Sequence, residues 1–133
     1  MIAIRKYAAI DIGSNAMRLL ITNIVEQEGK EPQFNKSSLI RVPIRLGQDS
    51  FTTGIISQEN ALRMVDAMEA FRLLMKVYKV ERYKACATSA MRDSLNGPDV
   101  VKLIKEKTTI DIEIIDGKTE AMIIASSDLH SFI

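Results

Sequence analysis

The period of apolar and polar positions changes along this chain, and each change marks an element. Tyr7 to Ile12 is a short, mostly apolar run closed by the turn signal Gly13-Ser14-Asn15, which reads as a buried strand. Met17 to Val25 is apolar and partly β-branched and predicts a second strand running back beside the first. Glu26 to Gln33, with Gly29 and Pro32, reads as a polar connection. Ser38 to Leu46 then alternates, with Ile40, Val42, Ile44 and Leu46 on one face and Leu39, Arg41 and Arg45 on the other. Pro43 cannot donate to a ladder, so this third strand belongs at an edge or at a bulge. Together the three segments predict an antiparallel meander.

After a Gly/Thr-containing loop the period becomes helical. Ser57 is an N-cap candidate and Glu59 stands in the first turn, where the helix dipole favours it. Ala61, Met64, Val65, Met68, Phe71, Met75 and Tyr78 follow at spacings of three and four, an amphipathic stripe in which methionine is expected as core filler. Tyr83 to Thr88 predicts a short strand of small residues. Asn96-Gly97-Pro98-Asp99 supplies cap and first-turn signals for a helix through Lys107. Ile112 to Ile115 predicts a last strand, and Asp116-Gly117 leads into a final helix containing Ala121 to Ala125. The expected class is α/β, a mixed five-stranded sheet in the order βββαβαβα, with residues 1–133 forming one domain.

A helix separates the last two strands, so a parallel pair with a right-handed crossover is favoured. The first strand can lie parallel to them. Loops leaving the carboxyl ends of parallel strands share the edge where ligands bind in open α/β sheets. Three such loops are expected to meet there: Gly13 to Ala16, Thr88 to Arg92, and Gly117 to Glu120. Asp11, ending an apolar strand, suits a hard cation such as Mg²⁺ through oxygen, or simply caps the turn that follows. Gly13 lets backbone N–H groups come close to a phosphate, while Ser14 and Asn15 add side-chain donors; the same residues also make ordinary hairpin turns. Arg92 can grip phosphate oxygens bidentately or form an ion pair with Asp93. Glu120, at the start of the last helix, can deprotonate a water for attack on phosphorus, or serve only as a helix N-terminal carboxylate. Arg18 and Arg45 fall in strands near the same edge, where arginines are usually solvated.

Composition narrows the partners. The 133 residues hold 18 basic and 17 acidic side chains, a formal charge of +1 that provides no long-range basic field for nucleic acid or an acidic membrane. A polyanionic ligand therefore has to be held by a local site. No apolar run approaches the ~18 residues of a membrane span, and the first residues lack the apolar core of a signal peptide, so a cytoplasmic location is expected. Cys86 is the single cysteine and His130 the single histidine, which leaves no intrachain disulfide and no paired-histidine metal site.

Taken together, four segments resemble the exopolyphosphatase/guanosine-pentaphosphate phosphatase family. Ala9-Ile10-Asp11-Ile12-Gly13-Ser14-Asn15-Ala16-Met17-Arg18-Leu19 is similar to its first phosphate-binding motif, and Arg45-Leu46-Gly47 to its Arg-Leu-Gly signature. Ala87-Thr88-Ser89-Ala90-Met91-Arg92-Asp93, with Asn96 after it, resembles its Ala-Thr-Ser-Ala-x-Arg segment. Ile114-Ile115-Asp116-Gly117-Lys118-Thr119-Glu120-Ala121 resembles the segment that bears its catalytic glutamate. The resemblance implies an actin-like (ribonuclease-H-like) lobe and Mg²⁺-dependent release of terminal phosphate from inorganic polyphosphate or guanosine pentaphosphate. It implies Glu120 as general base, Asp11 as metal holder, and Gly13, Ser14, Asn15 and Arg92 as phosphate holders.

Two departures accompany it. Thr119-Glu120 stands where the family usually has two carboxylates, and the family's second, glycine-rich Asp-x-Gly-Gly-Gly-Ser loop is absent from the chain. The expectation is an amino-terminal lobe without its carboxyl-terminal partner, inactive alone and inclined to self-associate through the uncovered face. The competing readings are a non-catalytic phosphate- or nucleotide-binding domain and the first half of a kinase or ATPase of the actin-like superfamily.

Overall fold

The computed structural model describes residues 1–116. Three long strands open the chain: β1 (Ile2–Ile12), β2 (Ala16–Gln27) and β3 (Gln33–Pro43). They form the expected meander, β1 antiparallel to β2 and β2 antiparallel to β3. Two further strands, β4 (Arg82–Ala87) and β5 (Glu113–Ile114), add in parallel on the other side of β1, giving the sheet order β3-β2-β1-β4-β5. Pro43 is the last residue of an edge strand, where its missing N–H costs no internal ladder bond.

The helices are α1 (Leu46–Thr52), α2 (Gln58–Val77), α3 (Ser89–Arg92) and α4 (Gly97–Thr108). Ser57 caps α2 as its position suggests, its side chain accepting from the Asn60 N–H at 3.1 Å. The buried face of α2, Ala61, Met64, Ala67, Met68, Phe71 and Met75, packs with Val100 and Ile104 of α4 over Ala8, Ile10, Ile12, Met17, Leu19 and Ile21 of the sheet. Each fully buried large side chain there contributes roughly 1.5–3 kcal/mol of transfer free energy. Because side chains alternate along a strand, Asp11, Arg18, Arg41 and Cys86 point to the opposite face.

Several expectations change. β1 begins five residues earlier than the apolar run, at Ile2, because its outer half pairs with β2 without needing burial. β3 lies earlier than the alternation implies. Ile44 and Leu46 are buried beyond its end, so Arg45 sits in the turn before α1 and not in a strand. The segment taken for a loop after Leu46 contains α1, and Thr88 opens into the short α3. Asn96 makes no side-chain cap. Its amide clamps the backbone of Ile56 instead, accepting from Ile56 N at 2.8 Å and donating to Ile56 O at 2.9 Å. Among the described residues no helix is long and apolar enough to cross a membrane. The expected last helix, containing Ala121 to Ala125 with Glu120 near its start, lies outside the described residues, as does His130.

Candidate functional site

The parallel pairing of β1, β4 and β5 brings their carboxyl ends to one edge, and the loops that follow β1 and β4 are tied to one another by specific bonds. Thr88, leaving β4, donates from both its N–H (3.1 Å) and its hydroxyl (3.3 Å) to the carbonyl of Ile12 at the end of β1. Further along the two loops, the hydroxyls of Ser14 and Ser89 meet at 3.1 Å. Ile115 N–H donates to Ala87 O at 2.9 Å, carrying the β4–β5 ladder to the start of the third loop. Arg92 Nη1 donates to the Ile115 carbonyl at 2.9 Å, while its Nε lies 3.8 Å from Asp93. The arginine therefore pins the backbone just before the segment that contains Glu120. Both alternatives raised for Arg92, an ion pair and a phosphate grip, start from this partly committed position.

The first loop is a hairpin turn as well as a candidate phosphate cradle. Gly13 N–H donates to Ala16 O at 2.9 Å and so closes the turn. A Cβ on Gly13 would stand 3.5 Å from that oxygen, an ordinary contact, so the turn itself tolerates a side chain there. By contrast, the N–H groups of Ser14 and Asn15 have no partner among the described residues. The carbonyls of Ser14 and Asn15 accept from Gly47 at 2.8 Å and from Ile44 at 3.2 Å, which locks the loop against the entry to α1. Gly47 is required for that approach, since a Cβ on it would come within 2.9 Å of Ser14 Cβ. This gives the Arg45-Leu46-Gly47 segment a role: Leu46 is fully buried and Gly47 supports the loop.

Asp11 and Arg18 face each other across β1 and β2, and the arginine donates to a single carboxylate oxygen, Oδ2, from Nε at 3.1 Å and from Nη2. Arg18 is thus paired, not merely solvated. Oδ1 of Asp11 has no described partner. Cys86, level with Asp11 on the neighbouring strand, has its thiol pKa pushed up, first by burial and then by nearby Glu113, so it stays protonated and unreactive.

Sequence reasoning passed over three further candidates. Ser89 lay within a recognised segment but carried no role; Arg41 and Gln48 line an open pocket beside Asn15. Alternation placed Arg41 on the outer face of β3, but nothing in that pattern tells a site residue from a solvated one.

The chain matches the model of the Ppx/GppA phosphatase family over residues 24–132. A bifunctional 3-dehydroquinate synthase/phosphatase of Fusobacterium nucleatum is 33% identical over 128 residues, 94% of this chain and 19% of that protein. The Ppx/GppA family member of Aquifex aeolicus superposes with a TM-score of 0.80 at 28% identity, over 89% of this chain and 37% of that one. An exopolyphosphatase from Cytophaga hutchinsonii gives 0.78 at 30% identity, over 90% and 36%. The curated relatives are much longer, and the chain spans 19% of the first and 33% of the next. The segments that built the site from below and the matches over most of the chain agree: this chain belongs to the Ppx/GppA phosphatase family.

Proposed function

We propose that the chain is the phosphate-handling lobe of a phosphohydrolase that removes terminal phosphoryl groups from inorganic polyphosphate or guanosine pentaphosphate. The observation that carries this reading is the meeting of the Ser14 and Ser89 hydroxyls at 3.1 Å, which makes one polar surface from two separate loops. In this reading the free N–H groups of Ser14 and Asn15, with their side chains, hold the oxygens of the phosphoryl group to be removed. Gly13 keeps the approach open; the turn alone does not demand a glycine there. Arg92 adds positive charge while its Nη1 stays bonded to the Ile115 carbonyl. Glu120 orients a water and takes its proton as the water attacks phosphorus, and the shortened phosphate chain leaves from the opposite side. Such hydrolysis depends on positioning and charge neutralisation more than on covalent chemistry.

The residues present fit Mg²⁺ of the substrate-shared kind. No group of three or more acidic, histidine or cysteine side chains gathers among the described residues, so these residues alone offer no all-protein cage. Magnesium commonly takes one or two carboxylates and completes its shell with water and substrate phosphates. Asp11, with Oδ1 uncommitted, would hold it, and the ion would supply charge neutralisation of the phosphate oxygens. The length of the relatives supports a second wall of the cleft from further sequence, which the glycine-rich loop missing here would help form.

Phosphate release from both substrates with Mg²⁺ tests the reading, measured on this chain and on a polypeptide of the relatives' length that carries it. Glu120→Gln is expected to lower release by about 10²–10⁴-fold in the longer protein. A wild-type rate in that variant would overturn the assignment, and release by the 133-residue chain would remove the need for a second wall.

A further inference from the structure

Beside the phosphate loop lies an open pocket of about 580 Å³, lined by Asn15, Arg41, Pro43, Arg45, Gly47 and Gln48. The volume is in the range of small-molecule sites, roughly 300–1,000 Å³. Its lining holds two guanidinium groups, two side-chain amides and no carboxylate. That composition is unusual for this chain. Arg5, Arg18, Arg72 and Arg92 each lie within 4.0 Å of an acidic side chain, and Arg63 donates to Asn60 and to the Pro43 carbonyl. Arg41 and Arg45 have no hydrogen-bond or ion-pair partner among the described residues. Arg41 also stands directly opposite Arg18 across β2 and β3, a like-charge pairing that costs stability unless an anion or a carboxylate relieves it. Asp11 relieves Arg18; nothing described relieves Arg41.

We infer that this pocket is a second anion subsite that takes the inner phosphates of a condensed phosphate chain, with Arg41 and Arg45 as its cations and Gln48 as an amide donor. The inference rests on the proposed function for the direction of the chain. Asn15 belongs both to the phosphate loop and to the pocket wall, so a phosphate chain whose end lies at Ser14 and Ser89 passes over Asn15 into the pocket. The recognised chemistry is the phosphoanhydride chain itself, whether inorganic or carried by a nucleoside. Guanidinium suits it because the planar fork binds two phosphate oxygens at once and keeps its charge at any physiological pH.

The test is a titration of the full chain with sodium tripolyphosphate, following the arginine Nε–H resonances by NMR and the affinity by calorimetry. Arg82→Gln serves as the charge-matched control, because Arg82 begins β4 at the far end of the sheet from the loops and has no described partner. Tripolyphosphate is expected to move the Arg41 and Arg45 signals and to leave Arg82 in place. Arg41→Gln and Arg45→Gln are each expected to weaken binding about tenfold, the loss of one charge-assisted pair, with thermal unfolding unchanged for Arg45→Gln and unchanged or raised for Arg41→Gln, which removes the like-charge pairing with Arg18. Losses no larger than that of Arg82→Gln, or no tripolyphosphate binding by the wild-type chain, would overturn the subsite. Guanosine pentaphosphate in place of tripolyphosphate separates the sources: equal losses mark recognition of the phosphate chain, and losses confined to tripolyphosphate mark an inorganic ligand. Tenfold losses here, together with unimpaired hydrolysis by Glu120→Gln, would leave the subsite standing while the catalytic assignment fell.

Discussion

Gly97→Ala is the substitution for which the structure gives the clearest magnitude. Gly97 is buried at the start of α4, and a Cβ placed on it would lie 2.1 Å from the carbonyl oxygen of Met91 and 3.1 Å from its carbonyl carbon. Cβ contacts under 3.0 Å are essentially never seen, so the gap falls about 0.9 Å short. The obstacle is backbone and cannot swing aside as a flexible side chain would. Relief requires α4 to move away from α3, which carries Ser89 and Arg92. Overpacking of this kind costs about 1–3 kcal/mol or more. Alanine regains at most ~1 kcal/mol through its better helix propensity, and less at a helix start. The expected net loss is about 2 kcal/mol, a fall in Tm of roughly 6–10 °C for a domain of this size. Urea and thermal unfolding followed by circular dichroism measure it. A Tm equal to or above that of the wild type would refute the reasoning, because it would mean that α3 and α4 do not approach as closely as the structure places them.

Arg18→Gln removes an ion pair whose side chains are 54% and 35% exposed, so stability should change by less than ~1 kcal/mol. If Asp11 holds Mg²⁺, losing the competing cation should lower the Mg²⁺ concentration needed for half-maximal hydrolysis by a polypeptide of the relatives' length that carries this chain; an unchanged midpoint would argue against Asp11 as the metal holder. Asp49 joins α1 to the start of α2, its Oδ2 accepting from Ser57 N–H and from Asn60 Nδ2, both at 2.9 Å. Burial opposes its ionisation, but the hydrogen bonds from Ser57 and Asn60 outweigh it and hold the carboxyl below its usual range. A depressed folded-state pKa gives stability that is present above the ordinary carboxylate range and lost as pH falls through the folded value, below about pH 4. Asp49→Asn should therefore flatten the acid limb of the stability profile by lowering stability at pH 7 while changing little below the folded pKa; a limb as steep as the wild type's would show that Asp49 does not contribute to it.

Local pattern was enough for the elements whose signal is local. The stripe from Ala61 to Met75 reads as a helix because its period matches one buried face, and Ser57 caps it through a bond spanning only three residues. Pro43 could be placed at an edge because the missing N–H is a property of the residue itself. Boundaries were less legible. β1 extends over Ile2 to Lys6 because β2 offers it a ladder, and α1 forms where Leu46 finds a buried seat, both decided by partners distant in sequence. Asn96 shows the same limit: its residue type suits a cap, yet the structure assigns its amide to Ile56, 40 residues away.

The chemistry divides in the same way. The residue types of the site, a carboxylate, a Gly-Ser-Asn turn and an arginine after a small-residue strand, were visible along the chain, and the parallel crossover rule brought their loops to one edge. What those side chains touch was not visible, because hydrogen bonds have short reach and their partners are chosen by register and packing. Only the folded chain joins Ser14 to Ser89 across 75 residues, commits one oxygen of Asp11 to Arg18, and turns Arg92 toward the Ile115 carbonyl. Among the described residues it also leaves Arg41 and Arg45 together without an acid, since charge balance counted along a sequence says nothing about which charges the fold brings within reach.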